Sequence, residues 1–136
     1  MKDSDVKGSI ADQIKYSNGK NYKKGFDLEK RTFIYATNVI EFTEIVQRNI
    51  INNEILKQII RSSGSIGANY IVANESLSKK NFLMHIKICR KESKETAYWL
   101  KLLNLNNTNY QTKCEPLIDE AIQLKKIFSS IVEKSS

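Results

Sequence analysis

The stretch from Arg61 to Phe82, RSSGSIGANYIVANESLSKKNF, decides between two kinds of structure. Its first half is rich in Ser, Gly and Ala, which is typical of a phosphate-binding loop or a flexible linker. A Walker-type loop has the pattern GxxxxGK[ST], whereas Gly64 and Gly67 are only three residues apart and no Lys follows them. Apolar residues also continue through the stretch at helical spacing. We therefore predict a helix with small residues on one side.

The small residues of this stretch predict a close contact between two helices. Gly64, Ala68 and Val72 recur at four-residue spacing, on a different side from the residues that the helix would bury. Each Gly costs a helix about 1 kcal/mol relative to Ala, so its presence suggests a packing reason. We expect a neighbouring helix to approach along this row.

The sequence on either side shows the same helical periodicity, and we predict an all-α fold, an antiparallel up-down four-helix bundle spanning residues 26–134. Residues suited to begin the four helices are Asp27, Asn53, Ser78 and Thr112. Thr112 and Glu115 form a possible capping box, and Pro116 would fall in the first turn of the fourth helix.

Apolar residues at spacings of three and four define the side of each helix that should face the core. In the first helix these are Leu28, Phe33, Ala36, Val39, Ile40, Ile45 and Val46. In the second they are Ile55, Leu56, Ile59, Ile60, Ile66, Tyr70, Ile71, Ala73 and Leu77. In the third they are Phe82, Ile86, Cys89, Ser93, Ala97, Leu100 and Leu103. In the fourth they are Leu117, Ile118, Ala121, Ile122, Leu124, Ile127, Phe128 and Ile131.

Length and composition fit one domain of a soluble protein. The chain has 136 residues, of which 40% are hydrophobic and 27% charged. Residues 1–25 lack sustained periodicity and are predicted to form a polar tail, disordered or loosely attached. The N-terminus is too polar for a signal peptide, and no apolar run approaches the roughly 20 residues that span a membrane. We expect a cytoplasmic protein without membrane contact, with Cys89 and Cys114 reduced.

Positive charge is concentrated in the third helix. Residues 79–101 contain seven basic residues against two acidic ones, a net charge of +5 out of +7 for the whole chain. On a helical projection most of the basic residues lie within about 60° of one direction. We name these residues, with the neighbouring cations and Tyr98, the basic face, and we predict that it contacts nucleic acid. Its members are Lys79, Lys80, Lys87, Arg90, Lys91, Lys94, Tyr98 and Lys101. A face without acids suits phosphate groups, and the Tyr ring could stack on an unpaired base. The alternative is an ordinary solvated face.

The third helix also has an apolar side outside its core-facing stripe. This side consists of Met84, Ile88, Trp99 and Leu102. A helix of a monomeric bundle needs only one buried face, so we predict that these four residues form the interface of a homo-oligomer. The alternative is a broader core that extends over them.

Signs of catalysis or metal binding are weak. His85 is the only histidine, and a metal site needs three or four ligands, so a site with Cys89 and Glu92 is the weaker alternative. The paired Glu-x-x-His elements of di-metal bundles are absent from the sequence. Glu92 and Glu95 are better explained as ion-pair partners of Arg or Lys. We predict no enzymatic activity, no metal and no cofactor.

Two stretches, RSSGSIGANYIVANESLSKKNF and KICRKESKETAYWLKLL, resemble a family of four-helix bundle proteins encoded in intervening sequences of bacterial 23S rRNA genes. The resemblance covers roughly residues 26–131. The positions that match the family are Arg61, Ser65, Ile66, Ala68, Asn69, Ser78, Lys79, Lys80, Lys91, Glu92, Glu95, Thr96, Tyr98, Trp99 and Leu100. The chain departs from the family at Val72, where Glu is common, so it lacks the carboxylate that many members have at this position.

The resemblance implies a ring-like homopentamer. A related branch of the family, the accessory variability determinants of diversity-generating retroelements, binds nucleic acid and a reverse transcriptase. Combined with the charge pattern, this predicts a non-enzymatic, oligomeric nucleic-acid-binding scaffold with a preference for RNA. The alternative is an oligomeric protein–protein interaction module that docks an acidic partner, a reverse transcriptase or another protein, without binding nucleic acid.

Overall fold

Four helices make up nearly all of residues 24–135, the part of the chain that the computed structural model describes. Their bounds are Lys24–Ile45 (α1), Ile50–Asn74 (α2), Lys79–Asn106 (α3) and Gln111–Ser135 (α4), with a 3-10 turn at Thr108–Tyr110 before α4. Each helix packs against the next, and α4 packs against α1. The predicted antiparallel up-down four-helix bundle is confirmed. The predicted tail lies outside the described residues except for its last two, which begin α1.

Three of the four predicted helix starts need correction, and one is confirmed. The Ser78 side chain accepts a hydrogen bond from the Asn81 N–H at 3.1 Å and begins α3 as predicted. The prediction that Asn53 caps the second helix was wrong, because the backbone becomes helical at Ile50 and Asn49 caps α2. Asp27 lies within α1, which begins at Lys24.

The start of α4 also differs from the prediction. A 3-10 turn leads directly into the helix at Gln111, so Thr112 lies inside α4 and does not cap it. Glu115 instead accepts a hydrogen bond from the Gln111 side chain at 2.8 Å. Pro116 consequently lies beyond the first turn, where its missing N–H leaves the carbonyl one turn earlier without its helical donor.

The core confirms the predicted stripes of α3 and α4 but not all of those of α1 and α2. The residues predicted to be buried that are in fact exposed are Phe33, Ile40, Ile45, Ile60, Ile71 and Leu77. In α1 the rings of Tyr35 and Phe42 are buried instead, and the Tyr35 hydroxyl donates to the Leu117 carbonyl at 2.7 Å. Because α1 has apolar residues on two sides, its contacts with the other helices decide which side faces inward.

The close helix contact involves a different glycine from the predicted one. A Cβ at Gly67 would lie 2.9 Å from Thr32 Oγ1, so α1 approaches α2 at this position. A Cβ at Gly64 would meet nothing within 4 Å, and Ala68 is exposed as well. The row of small residues therefore faces away from the bundle, and the prediction that a neighbouring helix approaches along it was wrong for residues 24–135.

Candidate nucleic-acid interface

The basic face runs along the outside of α3. Its core-facing stripe is buried between α2 and α4, and this fixes the opposite side of the helix in solvent. Each residue of the basic face is exposed except Arg90, which is half-buried. From Lys80 to Lys101 the face extends about 32 Å along the axis, at 1.5 Å per residue. The structure therefore brings the predicted nucleic-acid residues together on one accessible surface.

The charges of the basic face are largely uncompensated. Within residues 24–135, Lys91 is its one cation with an acidic partner, at 3.7 Å from Glu92 Oε2. That distance is long, and the Lys91 side chain is mostly exposed, so the pair neutralises little of the charge. The positive potential of the face is thus available to an external anion.

An ion-pair cluster joins α3 to α2 beside the basic face. Arg61 of α2 reaches Glu92 Oε1 at 3.4 Å and donates to Glu95 Oε2 at 2.8 Å. The predicted pairing of both carboxylates with a cation is confirmed. The sequence did not show that Glu92 is buried, with only 4% exposure. Its burial follows from its position beside the core-facing Ser93 and Cys89.

The buried part of the cluster is only partly satisfied. Glu92 Oε1 has no hydrogen-bond donor, and Arg61 Nη1 is its ionic partner. One turn further along α3, the Thr96 hydroxyl oxygen lies 2.8 Å from Ser62 Oγ and 2.8 Å from the Glu92 carbonyl oxygen, and its single hydrogen is shared between these two acceptors. A buried carboxylate is stable only when a cation is held next to it. Arg61 therefore fixes the pairing of α2 with α3 at this level.

Glu95 links this cluster to the aromatic residues of α3. Trp99 Nε1 donates to Glu95 Oε2 at 3.4 Å, and the Trp99 ring lies edge-to-face with Tyr98, with centroids 5.1 Å apart and an interplanar angle of 77°. Partial burial alone raises the pKa of Glu95. The hydrogen bonds from Trp99 and Arg61 and the nearby positive charges outweigh it, so the pKa of this carboxyl is lowered and it stays ionised at neutral pH.

The four residues of the predicted oligomer interface differ in their exposure to solvent. Met84 is 48% exposed and Ile88 is half-buried, but Trp99 and Leu102 pack partly against the core. The alternative of a broader core therefore holds for those two side chains.

Exposed apolar side chains continue from Met84 onto α2. The contacts of Ser62 with Thr96 and of Ile66 with Cys89 set an antiparallel register that places Val72 level with Met84. We define the apolar face by the exposed residues of this region: Ile60, Gly64, Ala68, Ile71, Val72 and Met84. It consists of bulky residues around a centre of small ones.

The groups that could support other chemistry are dispersed or unreactive. Burial raises the pKa of the Cys89 thiol to about 12 and that of Cys114 to about 11, so neither is a nucleophile at neutral pH. His85 Nδ1 lies 2.9 Å from the Asn81 carbonyl. In residues 24–135, no three His, Cys, Asp or Glu side chains are placed to bind a metal together. No helix in the same part of the chain could span a membrane.

A cleft of about 540 Å³ opens elsewhere, between the end of α1 and the start of α4. Its lining includes the buried Phe42 and Leu117 together with the charged Glu41, Glu44 and Lys113. These charges of both signs offer no consistent field for a charged ligand. The basic face remains the surface with the clearest chemical preference.

Comparisons with known proteins agree with this architecture. The family model described as 23S rRNA-intervening sequence protein matches residues 24–130. The crystal structure of a protein of unknown function from the S23 ribosomal protein family of Bacteroides thetaiotaomicron is similar, with a TM-score of 0.70 and 26% sequence identity. The match covers 82% of this chain and 99% of that one. No protein with a curated description matches the chain.

Proposed function

The chain belongs to the family of 23S rRNA-intervening sequence proteins, and on that premise we propose that it is a non-enzymatic, homo-oligomeric scaffold that binds nucleic acid through the basic face. One observation supports this above the others. Seven cations lie along one side of one helix, and within the described residues a single one of them has an acidic partner. Solvated faces usually mix both signs of charge.

Binding of a phosphate backbone follows from this charge distribution. Each ammonium group placed near a phosphate displaces condensed counterions, so the affinity falls steeply as salt rises. Contacts of this kind position a strand without reading its sequence. The family is named for sequences that intervene in 23S rRNA, which is a statement about origin. RNA is the nucleic acid that we propose as the ligand.

Self-association would place several copies of the basic face on one assembly. The apolar face supports an oligomer, because large side chains such as Ile71 and Met84 remain exposed around Gly64, where a second helix has room to approach. An oligomer repeats the basic face once per subunit, and linked sites raise the effective concentration of each further phosphate contact. Five subunits is the number that the family resemblance implies.

A filter-binding assay of the purified protein against RNA, DNA and polyglutamate at two salt concentrations tests the proposal. We expect RNA to bind with a strong salt dependence and polyglutamate to bind weakly. The second candidate is the interaction module that docks an acidic protein, which the same uncompensated charge supports. Binding of polyglutamate without binding of either nucleic acid would reject our proposal in favour of that candidate.

A further inference from the structure

Tyr98 is the one aromatic residue on the basic face, and the residue is 58% exposed. Lys94 lies four residues before it and Lys101 three residues after it, so cations flank the ring on both sides along the helix. These separations correspond to about 6 Å and 4.5 Å along the axis. A large exposed ring between two cations has no function in the core of the bundle.

A series of contacts that begins on α2 restricts the Tyr98 ring. Arg61 of α2 binds Glu95, Glu95 accepts the indole N–H of Trp99, and the Trp99 ring lies edge-to-face with Tyr98. Trp99 itself packs partly against the core. An exposed Tyr on a helix normally samples several rotamers, whereas this one is restricted by an indole that is itself fixed.

We propose that Tyr98 stacks on an unpaired base of a bound single strand, and that Arg61, Glu95 and Trp99 position its ring for that contact. The inference rests on the proposed function and narrows its ligand from nucleic acid in general to single strands.

The geometry distinguishes a single strand from a duplex. In a duplex the faces of the bases are covered by their neighbours, so a ring between two phosphate-binding cations reaches only sugar and phosphate. In a single strand whose phosphates lie near Lys94 and Lys101, the intervening base is free to lie against the Tyr98 ring. Stacking of this kind tolerates any base, because every base has a π face.

Trp99 supplies a direct readout, since it is the only tryptophan of the chain and its ring contacts Tyr98. The experiment titrates the protein with an oligouridylate and, separately, with an RNA duplex of the same length, and follows both affinity and Trp99 emission. We expect the single strand to bind more tightly and to change the emission.

The variant Tyr98→Leu keeps an apolar side chain but removes the ring. We expect it to weaken single-strand binding about 5- to 150-fold, the range given by stacking on one base, and to leave duplex binding nearly unchanged. Its salt dependence should match that of the parent because no charge is lost. Tyr98→Phe retains the ring and should bind like the parent.

The positioning role has its own test with a conservative control. Glu95→Ala removes the acceptor for Trp99 and should shift Trp99 emission and reduce the preference for single strands. Glu95→Gln retains an acceptor oxygen and should restore much of that preference. Equal loss in both variants would reject the positioning role, and thermal melts of both identify any general loss of folding.

The outcomes separate this inference from the function on which it rests. If the parent binds neither strand nor duplex, the proposed function fails and the stacking role fails with it. If the parent binds both equally, or if Tyr98→Leu binds the single strand as tightly as the parent, only the stacking role is overturned.

Discussion

The outer sides of α2 and α3 differ in chemical character. On α2 the exposed side between Ile60 and Val72 is largely apolar, with isoleucines and a valine around Gly64 and Ala68. On α3 it is cationic from Lys79 to Lys101. Neither surface is needed to bury the core, which the inner sides of both helices already complete. We propose that the two surfaces serve two separate interactions, one with a second copy of the chain and one with a polyanion.

The strongest effect should come from placing a charge in the apolar face. Ile71→Glu buries an unpaired carboxylate at any interface between copies, so we expect it to reduce the mass measured by light scattering to that of one subunit. Leu105→Glu is the matched control, because Leu105 is equally aliphatic and 78% exposed but lies outside this face. A single-subunit mass for the unmutated protein would reject the oligomer, and unchanged mass for Ile71→Glu would place the interface elsewhere.

The ion-pair cluster between the two helices should have the next largest effect. Arg61→Ala leaves Glu92 buried without its principal cation and should cost about 2 kcal/mol of unfolding free energy. This is less than the roughly 3–5 kcal/mol of fully buried pairs, because Arg61 is half exposed. The matched control is Lys57→Ala, which removes the exposed ion pair of Lys57 with Glu54 on the same helix. It should cost at most about 0.5 kcal/mol of unfolding free energy. Denaturant unfolding of both variants measures the difference, and equal values would contradict this account of the cluster.

The two glycines of α2 should respond in opposite directions. Gly64→Ala gains helix propensity at a position with open space and should stabilise the fold by up to about 1 kcal/mol. Gly67→Ala forces a methyl group against the Thr32 side chain and should destabilise it by about 1 kcal/mol net. Thermal melts in dilute solution, where copies are separated, make the comparison. A stabilising Gly67→Ala would mean that α1 and α2 are not in close contact there.

The smallest expected effect is a change in unfolding free energy at acidic pH. The pKa of Glu95 is lower in the folded chain than in the unfolded one, where it is about 4.3, so its ionised form stabilises the fold above that value. This contribution should disappear as the pH falls through the folded pKa. Glu95→Gln has no such titration, so its deficit in unfolding free energy relative to the parent should shrink below about pH 4. A deficit that stays constant between neutral and acid pH would contradict the lowered pKa.

Much of the fold could be predicted because local signals agreed with packing. Ser78 is followed by a strong apolar stripe, so the cap and the inner side of α3 were both correct. In α1, Phe33 and Ile40 on one side compete with Tyr35 and Phe42 on another, and only contact with the other helices decides which pair is buried. The same applies to Gly64 and Gly67, since the rotation of α2 about its axis depends on its neighbours.

The candidate site was predictable in position but not in detail. The basic face follows from sequence spacing alone, because its residues lie on one side of an uninterrupted helix. The burial of Glu92 and its pairing with Arg61 depend on the register between α2 and α3, which is set by distant contacts such as that of Ser62 with Thr96. The fact that Arg61 and Glu95 both match the family pattern was the available signal for this cluster.

The salt dependence of RNA binding by two triple variants tests the central claim most directly. Lys87, Lys91 and Lys94 changed together to Gln remove three charges from the basic face. The matched control removes three exposed charges from α4 by changing Lys113, Lys126 and Lys134 to Gln. We predict that the first variant lowers the slope of log K against log salt by about 2, at roughly 0.7 per phosphate of a single strand, whereas the control binds like the parent. Equal weakening by both variants would show that only net charge matters and would contradict a binding site on the basic face.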